Sequence, residues 1–301
     1  IEVIFVNLDS DQNKNTGKTF NATLIVQEDE LDGAITSQTL ANYITSLYTT
    51  DGENGLYYHD GQGTYTNANQ EAGDNSYRYA GANPNNYVCF GSDEETCPAE
   101  NLYRIIGVFN GQVKLIKAIS YGEYSWGDNE NINTWNTDIK PDIYTTLNNL
   151  FYNSLEIEWQ DLISLHDYNV EGMSQNDSFG VKQYYDAEIK NNNGYNQNMK
   201  IGLMYVTDYG YAASPEAWTI EMFNYDDSKN LNWLSGITEW TISRRADVTG
   251  YTFRIDESGY VRGDYYVAFA FSIRPSFYLN SDVEIYEGHA GTVSDPYRIV
   301  I

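Results

Sequence analysis

Positive charge is scarce in this 301-residue sequence: 17 Lys and Arg stand against 43 Asp and Glu, a net charge of −26. A surface of that sign repels phosphate backbones and anionic lipid heads, which excludes nucleic acid and an electrostatically held membrane as partners. It suits an aqueous setting and cationic partners. No apolar run approaches the roughly 20 residues needed to span a bilayer. The chain starts at Ile1 rather than Met, so a signal peptide or membrane anchor is expected upstream, and a membrane is reachable only through it. Cysteine is equally sparse. Cys89 and Cys97 flank a polar, turn-rich loop, with no second pair to complete a four-ligand metal site and no C-x-x-C spacing for redox work. The pair reads as a local disulfide, which persists in an oxidising compartment; two free thiols in a reducing one is the alternative. The expected location is extracellular or on the cell surface. Histidine is limited to His59, His166 and His289, in separate segments, without an H-E-x-x-H motif or a nucleophile elbow. No catalytic constellation is visible, so a binding role is expected ahead of an enzymatic one.

What is present is mostly β-type patterning. Val3–Val6 and Phe20–Val26 read as strands around a polar turn, and a helix capped by Ser37 is expected over Ser37–Tyr48. Residues 50–86, rich in Gly, Asn, Asp and Tyr, read as long ordered loops. Leu102–Phe109 and Gln112–Lys117 flank Asn110-Gly111, the favoured two-residue hairpin turn. A second helix is expected between Asp142 and Ile163, with Ile143, Leu147, Leu150, Phe151, Leu155, Trp159 and Leu162 on one stripe. Ile201–Val206, Trp240–Ser243, Tyr251–Ile255 and pieces of Tyr260–Leu279 read as further strands, and Tyr297–Ile301 ends the chain on a strand-like segment.

Calcium is the one cofactor for which a pattern exists. Asp9, Asp11 and Asn13 occupy the first ligand positions of an EF-type loop, but Lys14 replaces the glycine. Asp167, Asn169 and Glu171 before Gly172 fit better, although Ser178 stands where a bidentate Glu should close the site. The aromatics say more. There are 28 Tyr against 11 Phe and 6 Trp, and many sit in polar loops: Tyr57, Tyr58, Tyr65, Tyr77 and Tyr79, then Tyr209, Tyr211, Tyr265 and Tyr266. Tyrosine offers a large rigid face with a hydrogen-bonding tip, so binding surfaces favour it, though such rings also pin loops to a domain body.

The C-terminal third carries a recurring pattern: Glu239-Trp240-Thr241-Ile242-Ser243-Arg244, Gly259-Tyr260-Val261, Ile273-Arg274-Pro275-Ser276-Phe277-Tyr278-Leu279, and Gly291-Thr292 with Asp295-Pro296-Tyr297. It resembles uncharacterised surface proteins of gut Firmicutes, as do the runs Tyr79–Pro98, Asn101–Gly107 and Lys200–Pro215. Their last domain is similar in layout to C-type-lectin-like folds, including formylglycine-generating enzymes. The resemblance implies an α+β, β-rich fold: a C-type-lectin-like domain over 51–301, with two helices and a long-looped mixed sheet. A small N-terminal β-rich region with a short helix, 1–50, would precede it, the boundary falling within 50–90. Trp240, Gly259, Arg274 and Tyr278 would form scaffold, and a ligand face would draw on Arg244, Arg245, Asp247, Arg254, Tyr260, Arg262, Asp264, Tyr265 and Tyr266. The cysteines do not map onto the copper-binding pair of the enzymatic branch. Arg274 is expected to pair with a buried carboxylate.

Two functions follow as expectations. One is an adhesin-like binding protein that recognises a glycan or protein on a host or bacterial surface through the Tyr/Arg-rich C-terminal face. The other is a subunit of an extracellular filament or surface layer, pairing with copies of itself through the strands at Glu2–Val6 and Tyr297–Ile301.

Overall fold

The Asn110-Gly111 turn anchors the architecture. In a computed structural model describing residues 38–62, 70–128, 132–192, 194–225 and 228–301, both turn residues adopt positive φ, 49° and 77°, and close the expected hairpin. Leading up to it are helix α1 (Leu40–Ser46) and strands β1 (Leu56–Tyr58), β2 (Tyr77–Tyr79) and β3 (Tyr87–Cys89). The hairpin itself is β4 (Leu102–Phe109) and β5 (Gln112–Lys117), followed by β6 (Gly122–Ser125). The middle of the chain holds α2 (Asp142–Thr145), α3 (Ile157–Asp161), β7 (His166–Asn169), α4 (Val181–Tyr185), β8 (Asn196–Met199), α5 (Val206–Tyr211) and α6 (Ser228–Leu231). The C-terminal part supplies β9 (Glu239–Arg244), β10 (Tyr251–Ile255), β11 (Val261–Tyr266), β12 (Ala270–Ile273), β13 (Ser276–Tyr278), β14 (Ile285–Tyr286) and β15 (Tyr297–Ile299). The fold is therefore α+β and β-rich, with short helices and mixed sheets.

Strand β4 organises the larger sheet. One of its edges carries β5, which pairs onward with β13; the other carries β3 at one end and β2 at the other. A bulge at Gly107 lets β2 come this close, since a Cβ there would collide with the backbone oxygen of Tyr77. The second sheet runs β11-β10-β9-β12-β6, antiparallel except for the β9–β12 pair, and β7 with β8 forms a separate ribbon. Residues 35–301 make one compact unit, while Ile1–Ala34, with the expected strands and the Asp9–Asn13 loop, lies outside the described residues. Leu40, Ala41 and Ile44 of α1 pack into the same core as Ile105, Leu115, Trp240 and Phe277. Among the described residues no helix is long and apolar enough to cross a membrane. Cys89 and Cys97 are joined by a disulfide with Cα atoms 5.8 Å apart. The loop they close is also tied to β15, because Arg298 donates to the Glu94 and Glu95 carbonyls.

Several expectations need correction. Helix α1 starts three residues late, capped by Thr39 Oγ1, which accepts from Asn42 N at 3.3 Å. The long helix over 142–163 is broken. After α2 the coil widens into a π-helical stretch at Thr146–Phe151, tightens to Ser154, and stops at Leu155 and Glu156, which are extended. The widened turn shifts the apolar stripe out of phase, so Ile143, Leu147, Phe151 and Trp159 are buried while Leu150 is 53% exposed. Ile201–Val206 is not a strand; only Gly202 makes a bridge, to Ser276. Val206 instead opens α5, where Asp208 Oδ2 accepts from the Tyr205 N–H at 2.8 Å. Every residue of α5 is buried, and a helix buried all round carries no 3.6-residue signature. Residues 50–86, read as loop, contain β1 and β2.

Candidate functional site

The second sheet gathers most of the expected ligand face. Arg244 ends β9, Arg254 sits in β10, and Arg262, Asp264, Tyr265 and Tyr266 sit in β11, with Arg254 directly opposite Arg262 across the strand pair. The arginines do not form a free cationic patch, because each has its own carboxylate. Arg244 lies 3.7 Å from Glu171, and its Nε donates to the Val170 carbonyl at 2.8 Å. Arg245 grips Asp247 through two bonds, at 2.7 and 2.5 Å, and also donates to Gln175 and to the Gly263 carbonyl. Arg254 is 3.9 Å from Asp264, and Arg262 is 3.4 Å from Asp256. Their guanidinium planes rest on rings: Arg254 over Tyr265 and Phe271, Arg262 over Phe223 and Tyr260. A face so neutralised has little to offer an anion.

What it presents is aromatic. Tyr265, Tyr266 and Phe269 are 36%, 47% and 52% exposed, and as consecutive residues of β11 Tyr265 and Tyr266 point to opposite faces of the sheet. Tyr265 meets Phe269 and Phe271 edge-on at 5.2 and 5.0 Å between centroids, and Tyr266 meets Tyr251 at 4.8 Å. Phe269, just before β12, and Phe271 within it were missed at the sequence level; the shared contact with the Tyr265 ring brings them together. Among the described residues, β11 is one of the two outer strands of this sheet, with β6 at the other edge.

Other tyrosines turned out to be structural. Tyr79, Tyr209 and Tyr211 are buried; Tyr209 Oη donates to the Gly259 carbonyl, and Tyr211 Oη donates to the Gln70 carbonyl. Tyr65 lies outside the described residues. The calcium candidates are engaged locally. Asp167 accepts from Asn198, Asn169 accepts from the Glu171 N–H, and Glu171 accepts from the Tyr195 N–H beside Arg244. Among the described residues no group of three or more His, Cys, Asp or Glu is placed to hold a metal ion.

A buried ionic cluster and a buried carboxyl escaped sequence reading. Lys114 Nζ meets Asp208 Oδ2 at 2.5 Å, with Arg78 bridging towards Asp208 and bonded to Asp74 at 2.6 Å. Beside them Glu188 accepts from the Thr207 hydroxyl, the Val206 and Thr207 amides and the Ser243 hydroxyl, yet burial pushes its carboxyl up to about 7. Elsewhere Arg274 makes a two-pronged pair with Glu239, at 2.9 Å from Nε, as expected of a scaffold residue. Burial holds two histidines neutral: His59 falls to about 3 and His166, stacked on Tyr278, to about 4. The third, His289, meets Asp295 at 2.6 Å through Nδ1.

That histidine borders an open cleft of about 600 Å³. Tyr43 of α1, Leu47 just after it, residues from 52 to 57 leading into β1, the stretch 79–85 and residues 289, 290 and 297 line it. Among the described residues the lining holds no Ser, Thr or Cys beside the His289–Asp295 pair. Comparisons with protein-family models, with curated proteins and with solved structures found no match.

Proposed function

We propose that this chain is an adhesin-like binding protein, displayed outside the cell, that recognises a glycan or protein on a host or bacterial surface. The recognition face is the Tyr/Arg-rich C-terminal sheet, and the C-type-lectin-like resemblance belongs to the same reading. One observation carries it: the exposed rings of Tyr265 and Phe269, packed edge-on and buttressed by Phe271 and by Arg254, which is already paired with Asp264. Large rigid aromatics held by their neighbours lose little entropy on docking, and Tyr and Arg dominate interface energetics. The Cys89–Cys97 disulfide supports display in an oxidising compartment.

The paired arginines move the weight of the face onto the rings. On an array of glycans and cell-surface proteins, Tyr265→Ala with Phe269→Ala should abolish binding, whereas Arg244→Ala with Arg262→Ala should weaken it less. Equal binding by wild type and the aromatic variant rejects the face.

The subunit reading draws on one feature, the outer position of β11 in its sheet. The C-terminal segment does not serve it, since β15 is paired on both sides, with β3 and β14. Light scattering over a wide concentration range decides between the readings: a particle that stays monomeric removes the filament.

A further inference from the structure

We infer that the cleft beside α1 is a binding site for a neutral saccharide. It shares no residue with the sheet face, so it stands or falls separately from the proposal above.

The first argument is charge. Asp, Glu, Lys and Arg make up 20% of the chain, yet among the described residues none of them lines the cleft. An anionic or cationic ligand would find no countercharge on these walls apart from His289. The second is chemistry. Two half-buried tyrosines, Tyr43 and Tyr57, share the lining with the amides of Asn54, Asn83 and Asn85, over a floor of the buried Tyr79 and Tyr297. Rings offer flat faces to the C–H side of a sugar, while amides both donate to and accept from its hydroxyls. A proline-rich peptide, the other frequent occupant of aromatic grooves, would prefer a more apolar trough.

The third argument is that the walls are set in advance. Gly52, Asn54, Gly55 and Gly81 all have positive φ, and a Cβ on Gly55 would lie 2.7 Å from Pro84 Cβ, so the two wall segments touch. Beneath the 83–86 loop, Arg104 donates from Nε to Asn86 Oδ1 at 2.7 Å and from Nη2 to the Pro84 carbonyl at 3.0 Å. Its guanidinium is held between the Tyr87 and Trp233 rings, each 4.4 Å from the centroid. On the opposite wall, Gly291 makes room for the Tyr297 ring, and its carbonyl accepts from the Tyr87 N–H. Asp295 binds His289 Nδ1 and the Ala290 N–H, which fixes the imidazole and leaves Nε2 for a ligand. A cleft ordered before binding loses less entropy when occupied.

The test is a glycan array carrying neutral hexose and N-acetylhexosamine oligosaccharides, their sialylated and sulfated counterparts, and a decaproline peptide. Hits are then titrated calorimetrically. Neutral probes should bind, with acidic counterparts no tighter. Tyr57→Ala should weaken binding about tenfold, as loss of one stacked ring implies, while Tyr57→Phe stays close to wild type. Because Tyr57 also packs edge-on against Trp218, Asn85→Ala on the exposed rim provides a second variant that leaves the core untouched; about a threefold loss is expected. Tyr265→Ala, on the sheet face, should change nothing. The inference is overturned if no neutral probe binds, if acidic probes or decaproline bind in preference, or if saccharide binding survives Asn85→Ala and Tyr57→Ala but is lost in Tyr265→Ala. That last result would favour the sheet face instead.

Discussion

Glu188→Gln should stabilise the protein at neutral and alkaline pH and do little in acid. The native carboxyl keeps its proton up to about pH 7, because burial outweighs the four donors around it, whereas an unfolded glutamate releases it near 4.5. Between those values the native state binds more protons, so stability falls as pH rises. The contribution is fully present below 4.5 and lost above 7, and at about 1.4 kcal/mol per tenfold it amounts to about 3 kcal/mol. Glutamine keeps an acceptor for the Thr207 amide and hydroxyl, and its NH₂ can donate to Ser243 Oγ, which already accepts from the Val206 N–H at 3.1 Å. Urea unfolding followed by tryptophan fluorescence, across roughly pH 4.5 to 8, supplies the comparison. His59 and His166 titrate with the opposite sign, their depressed values removing stability as pH falls below 6.5. They are present in both proteins, so the difference between variant and wild type isolates Glu188. That difference should grow by about 3 kcal/mol with rising pH; a difference that stays flat refutes the reasoning.

Three further outcomes test the scaffold. Cys89→Ser with Cys97→Ser opens a loop of eight-residue separation and should cost about 2 kcal/mol in chemical unfolding. Arg274→Met strands Glu239 in the core and should destabilise by about 3–5 kcal/mol, while adding Glu239→Leu should recover most of that loss. Gly107→Ala drives a methyl into the β2 backbone and should lower stability by about 2 kcal/mol, read as a lowered melting temperature.

The readable parts of the fold were those whose signal is local. Asn110-Gly111 fixes its own turn, alternation marks β9 and β10, and the short Cys89–Cys97 spacing permits one bridge. The helix over 142–163 was misread because a π-widened turn shifts its phase, and α5 because burial on all sides erases periodicity. On the proposed ligand face, the sequence located the strands but could not show that Asp247, Asp256, Asp264 and Glu171 neutralise the arginines.

Composition and local pattern thus determined the acidic surface, the β-rich class, the disulfide and the hairpin that organises the larger sheet. Tertiary structure alone decided which tyrosines support the core and which face solvent, and that Lys114 and Glu188 lie buried. It alone brought Tyr43, Tyr57, Asn85 and His289 to one cleft. Turns and strand alternation arise among neighbours in sequence. Burial and charge pairing arise between residues far apart in the chain, and only their packing brings them together.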